Sequence, residues 1–344
     1  MAPRQPGTRK GEPAKRAIAA ALMLLTACSA QVAAPTATPG SDQTATPTPA
    51  ARGSASVTPI QNPLVVMAAG DIACDPVDPE FNAGVGTPTR CRQGDTARLL
   101  AGADLILALG DNQYECGGLA AFRSSFDRSW GAYKARIRPA IGNHEHNAGS
   151  EGPRAGTGCD SAHNAAGYYT YFGSAAPRGE YSFDEGGWHF ATVDTTCGPL
   201  TCAARAAWLS GDLARHHALC TLVFYHHARW SSGKEGNHPQ GDVFWRIAAA
   251  AGVEIVLSGH DHDYERFAPM DAAGRASANG VREFVVGTGG YKFNPLRAVQ
   301  PNSVVRNNDT FGVLQLTLNA TSYQWQFLPI AGQTFTDSGT GTCH

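Results

Sequence analysis

Five apolar runs in this chain each deliver residues that bind cations well. LVVMAAGD delivers Asp71, and LILALGD delivers Asp111 with Tyr114 three residues on. RPAIGNHE delivers Asn143 and His144, TLVFYHH delivers His226, and VEIVLSGHDH delivers His260 and His262. Taken singly, Asp71 or Asp111 would cap a turn and Asn143 would hold a loop. Together they are a donor set for two metal ions. A carboxylate can bridge two cations, and a metal pair about 3.5–4 Å apart can clamp phosphate and lower the pKa of a bound water toward ~7.

The elements that must position these residues are strands, because short apolar runs bounded by breakers read as buried strands. Strand-like runs recur near 64–69, 104–109, 137–141, 180–184, 188–194, 220–225, 253–257, 282–287, 311–318 and 322–328. Helical patterns are expected over 95–101, 119–134, 203–217 and 243–251. Strands alternating with helices imply layered α/β structure. Open α/β sheets bind ligands just beyond the carboxyl ends of their strands, where all five donor groups would collect.

Gly70-Asp71, Gly110-Asp111-Asn-Gln-Tyr114, Gly142-Asn143-His144-Glu145, Val223-Phe-Tyr-His226 and Gly259-His260-Asp-His262 occur in the order found in the calcineurin-like metallophosphoesterases. Tyr264-Glu265-Arg266 adds to the likeness, and within that family the chain resembles the purple acid phosphatases. The resemblance implies an α/β, four-layer αββα sandwich, with two mixed β-sheets flanked by helices and the ligands on loops between them. It implies one metal site of Asp71, Tyr114 and His262 and another of Asn143, His226 and His260, bridged by Asp111. It also implies hydrolysis of phosphate monoesters by in-line attack of a metal-bound hydroxide. Phosphodiester or nucleotide hydrolysis on the same core is the alternative, and a non-enzymatic surface protein is a third.

One position departs from the wider family. The first motif there is usually Asp-x-His, but the third position here is Ala73. Tyr114 would replace the lost ligand. A tyrosinate adds one negative charge, which one extra positive charge on the metal would offset. This suggests Fe³⁺ at the Asp71/Tyr114/His262 site and a divalent ion (Fe, Zn or Mn) at the other. The alternative is a core tyrosine with both ions divalent. His144 is expected to contact phosphate or support a ligand. His226 rather than His227 fits the spacing. His238, in the loop after His226, is either the general acid or a mobile loop histidine. His146, His163, His189, His216 and His217 have no motif support and read as structural or surface residues.

The 344 residues are 42% hydrophobic with a formal charge of -2. That can bury a substantial core and argues against a general nucleic-acid surface; the resemblance implies a small phosphorylated substrate as the partner. A basic start and an apolar run over 17–27 read as an export signal. Leu25-Thr26-Ala27-Cys28 resembles a bacterial lipobox. Residues 1–28 would then be a lipoprotein signal, with Cys28 lipidated and attached to a membrane. An ordinary cleaved signal is the alternative, and either exports the protein. Residues 29–61, rich in Thr, Pro and Ala, cannot bury enough surface to fold and read as a tether. One catalytic domain would occupy 62–344.

Apart from Cys28, eight of the nine cysteines remain. An even number in an exported chain favours disulfides. Neighbours paired in order give Cys74–Cys91, Cys116–Cys159, Cys197–Cys202 and Cys220–Cys343. Asn308 and Asn319 begin glycosylation-like triplets, which the bacterial style of the export signal makes chance matches.

Overall fold

Apolar runs become most of the strands, four to eight residues long, of two sheets in the structure, a computed structural model that describes residues 62–146 and 164–344. The leader over 1–28 with Cys28, the tether over 29–61, Cys159 and His163 lie outside the described residues. In chain order the strands are β1 (Leu64–Ala69), β2 (Leu105–Leu109), β3 (Ile137–Ala140), β4 (Tyr181–Glu185), β5 (Trp188–Thr192), β6 (Cys220–His227), β7 (Ile255–Gly259), β8 (Tyr264–Phe267), β9 (Arg282–Val286), β10 (Ser303–Asn307), β11 (Gly312–Leu318), β12 (Ser322–Pro329) and β13 (Ser338–Thr342). The α-helices are α1 (Gln93–Leu99), α2 (Leu119–Ser124), α3 (Ala166–Phe172), α4 (Pro199–Arg215) and α5 (Asp242–Ala250).

The first sheet has the order β13-β12-β11-β1-β2-β3 and the second β10-β8-β9-β7-β6-β5-β4. The parallel strands are β1, β2 and β3 at one end of the first sheet and β5, β6, β7 and β9 in the middle of the second. Parallel strands need crossovers and are covered on both faces, which is why every residue of β2 is buried.

Side-chain alternation assigns the layers. In the second sheet Leu222, Phe224, Ile255, Leu257, Phe284 and Val286 pack into one core with residues of the first sheet. Val223, Tyr225, Val256 and Val285, on the opposite face, pack with Leu209 of α4 and Phe244 and Trp245 of α5. Residues of α1, α2 and α3 pack with the first sheet. The architecture is the expected αββα sandwich with two mixed sheets.

The expected helix over 119–134 is instead α2 followed by two 3₁₀ segments, Phe126–Arg128 and Trp130–Arg136. The side-chain oxygen of Gln113 takes the Phe126 N–H, and the Ser129 hydroxyl donates to the Ser125 and Phe126 carbonyls. These bonds compete with the helical ladder. Phe122, Phe126, Tyr171 and Phe172 form the aromatic cluster that holds the broken segment.

Three disulfides join described residues: Cys74–Cys91, Cys197–Cys202 and Cys220–Cys343. The last ties the start of β6 to the chain end. Among the described residues no helix is long and apolar enough to cross a membrane.

Candidate metal centre

The carboxyl ends of the parallel strands carry the donor residues as sharp turns. Asp71, Asp111 and His260 follow β1, β2 and β7 and adopt left-handed φ of 59°, 46° and 71°. Such strain in non-glycine residues persists where surroundings enforce it, and it clusters at functional sites. The flanking glycines allow close approach. A Cβ on Gly142 would lie 2.1 Å from Asp111 Oδ1, and one on Gly110 2.5 Å from His226 Nδ1. The two sheet rims meet here, with the Gly70 N–H donating to the Val286 carbonyl at 2.8 Å.

Two donor clusters share one carboxylate. In the first, Tyr114 Oη lies 2.8 Å from Asp71 Oδ1 and 3.1 Å from His262 Nε2. His262 Nε2 lies 3.3 Å from Asp71 Oδ1. In the second, Asp111, His226 and His260 offer ligand atoms within 4.8 Å of one another, and Asn143 Oδ1 lies 3.0 Å from His226 Nε2. Asp111 Oδ2 is 3.2 Å from Tyr114 Oη and 3.2 Å from His226 Nε2. All seven residues expected to bind metal are therefore gathered in one place.

These distances fit cations. Donors held at about 2.1 Å around one octahedral ion lie about 3.0 Å apart. The His226 tautomer is compatible with this. Its Nδ1 faces the Leu109 carbonyl at 2.9 Å, which only accepts, so the proton sits on Nδ1. Nε2 then faces Asp111 Oδ2 and Asn143 Oδ1, a contact that either a second proton or a cation satisfies. Orientation of a ligating imidazole by a carbonyl is common in metal sites.

The electrostatics record the same demand. Burial would lower His226, but Asp111 overrides it and pushes the imidazole up to about 10. Burial would raise the Asp111 carboxyl, but His226, with His144 and His260, holds it well below the usual range. Burial, reinforced by Asp71 and Asp111, pushes the Tyr114 phenol well above its ordinary value. Ionising it requires a strongly charged cation alongside. His260 is held well below its ordinary value by burial and by His226, leaving a neutral ring suited to ligation.

The remaining histidines separate clearly. His227 is tied elsewhere, its N–H and Nδ1 both engaging the Thr195 hydroxyl, although its ring lies 4.3 Å from that of His260. His144 donates its backbone N–H to Asp111 Oδ1 at 2.9 Å and directs Nδ1 at the Glu115 carbonyl. It lines a polar cleft with Asp111, Asn143, His260, His262 and Lys234. His238 is not part of that lining. Its ring stacks on His227 with centroids 4.4 Å apart, its Nε2 is buried without a hydrogen-bond partner, and burial lowers it to about 4. His146 pairs with Asp194. His189 sits between Asp184 and Asp212 and stacks on His216, while His217 is exposed.

Several supporting residues were not assigned roles from sequence. Buried Glu145 accepts the Gln113 and Gly142 N–H groups, fixing both turns that carry Asp111 and Asn143. Asp261, between the two histidines, accepts the Glu235 and Gly236 N–H groups. Glu283 accepts those of Arg229 and Trp230. Only Glu145 and Asp261, lying inside the motifs, carried any signal of this in the sequence.

The fold is similar to that of the purple acid phosphatase PPD1 from yellow lupin (Lupinus luteus) seeds, with a TM-score of 0.61, 20% identity and 82% of this chain covered. This chain spans 54% of that protein, about half its length. GAP50, the anchor in the inner membrane complex of Plasmodium, matches with a TM-score of 0.56 and 14% identity, over 80% of this chain and 88% of that one. No curated protein matches the sequence. The family model for calcineurin-like phosphoesterase matches residues 64–264. That span is more than half of the chain and contains all seven donor residues, so the chain belongs to the calcineurin-like phosphoesterase family.

Proposed function

We propose that this protein is an exported dinuclear-metal phosphoesterase that hydrolyses phosphate monoesters in the manner of an acid phosphatase. The observation that carries this reading is Asp111 Oδ2, which lies 3.2 Å from a donor in each cluster. Asp71, Tyr114 and His262 would hold Fe³⁺. Asn143, His226 and His260 would hold a divalent ion (Fe, Zn or Mn), with Asp111 between the two. When bound, such a pair supplies Lewis acidity to the phosphate and to a water.

The chain's own groups do the rest. The Glu115 carbonyl accepts from His144 Nδ1, and in the imidazolium form Nε2–H, 3.8 Å from Asp111 Oδ2, would be the proton given to a leaving alkoxide or phenoxide. On this reading His144 is the acid, the role the sequence offered to His238. Lys234, on the cleft wall, attracts the substrate anion. Residues 1–28 would export the chain and lipidate it at Cys28, and 29–61 would hold the domain over 62–344 away from the membrane. The three disulfides suit an oxidising compartment.

The fold alone does not decide between enzyme and scaffold, since an anchor shares it. The full donor set favours the enzyme. The test is metal analysis with a visible spectrum, alongside turnover of an aryl phosphate and of its diester. Two metals, a tyrosinate-to-iron band and faster monoester cleavage are expected. A colourless protein fully active with manganese or zinc removes the iron assignment, and preference for the diester moves the enzyme to the phosphodiesterases.

A further inference from the structure

Tyr291 lies outside every motif and comes from the segment after β9, yet it touches three residues of one donor cluster. Its ring stacks on that of Tyr114 with centroids 3.5 Å apart and planes 10° apart. It meets the His262 ring edge-on at 5.5 Å. Its backbone N–H donates to the Asp71 carbonyl at 2.9 Å. Tyr291 itself is held from several directions. Its hydroxyl donates to Glu115 Oε1 at 2.7 Å and accepts from Arg90 at 2.9 Å. The Arg90 guanidinium also lies over its ring, at 4.6 Å. Its carbonyl accepts the Cys91 N–H, beside the Cys74–Cys91 bridge.

We propose that Tyr291 is a positioning residue, whose ring sets the plane of the Tyr114 phenol and so aims its oxygen at the cation shared with Asp71 and His262. The inference rests on the two-metal reading of this site. A phenol swings about Cα–Cβ and Cβ–Cγ. His144 covers the Tyr114 ring at 4.4 Å, but at a tilt of 56° that leaves the plane unfixed. The parallel contact with Tyr291 supplies the fixed surface. The role belongs to the ring, while the hydroxyl anchors Tyr291 to Glu115 and Arg90.

The test compares the full-length wild type with Tyr291→Met, which keeps bulk without a ring, and Tyr291→Phe, which keeps the ring. Each is loaded with ferric iron and zinc. In Tyr291→Met the charge-transfer band of Tyr114 shifts and ferric ion passes to a chelator roughly ten- to a hundredfold faster. In Tyr291→Phe the band stays in place. Variants that both match the wild type, or that both lose the band, overturn the proposal. Should Tyr291→Met fail to fold, Tyr291→Leu takes its place in the same comparison, and a band lost in Tyr291→Phe assigns the effect to the hydroxyl and overturns the proposal. A wild type that takes up two divalent ions but no ferric iron removes only the ferric assignment, and zinc release then makes the same comparison. A wild type that binds no metal overturns both this inference and the function on which it rests.

Discussion

Asp111 Oδ2 lies 3.2 Å from His226 Nε2, joining the end of a strand in one sheet to a strand in the other. Asp111→Asn keeps the shape but removes the charge that two cations would share. Loss of several kcal/mol of charge stabilisation corresponds to a fall in kcat/KM on the order of a thousandfold. Metal content should fall with it, measured by elemental analysis. Full metal content with normal turnover would sink the bridging role.

The leaving-group proton is expected from His144. His144→Ala should lower kcat by roughly a hundredfold or more on an alkyl phosphate, and far less on 4-nitrophenyl phosphate, whose leaving group needs little protonation. His238→Ala should show no such dependence on the leaving group. The reverse pattern would restore the acid role to His238.

Glu283 gives a pH dependence of stability. Burial raises its carboxyl from 4.5 to about 8, against the Arg229 and Trp230 N–H groups that favour the charge. A group raised in the folded state binds its proton more tightly there than in the unfolded chain. Its contribution is complete below about 4.5 and is lost as pH rises through about 8. The largest slope it can give is about 1.4 kcal/mol per pH unit. Denaturant titrations of Glu283→Gln between those limits should show a flatter profile than wild type. Parallel profiles would show that the carboxyl does not titrate there.

The bridge between Cys74 and Cys91 closes the loop that follows Asp71. Replacing both cysteines with serine should cost about 2–4 kcal/mol of stability. It should also loosen metal at the Asp71 cluster more than at the Asn143 cluster, read as unequal release rates of the two ions. Equal release would confine the bridge to a stabilising role.

The donor residues were legible because each follows an apolar run and precedes a turn, and both are local signals. The strands that carry no such run were not. β13 reads SGTGT and offers no apolar alternation. β8 reads YERF, and its charges are spent on long-range bonds: Glu265 to Ser232, and Arg266 to Asp337. α3, reading AGYYTYF, is aromatic on several sides and lacks a helical stripe. Glu283 looks like an ordinary surface charge in sequence. Only the fold buries it beneath the loop it holds. Tyr291 is invisible for the same reason, since its partner lies far back in the chain.

Each donor cluster draws on both layers of strands. Asp71, Tyr114 and Asn143 follow strands of the first sheet, whereas His226, His260 and His262 belong to the second. A cation held in either place would therefore act as a rivet through the sandwich as well as a reagent. Because ligands that bind only the native state raise its stability, stripping the ions should unfasten the two halves along their shared rim, and heat should open the bare protein there first.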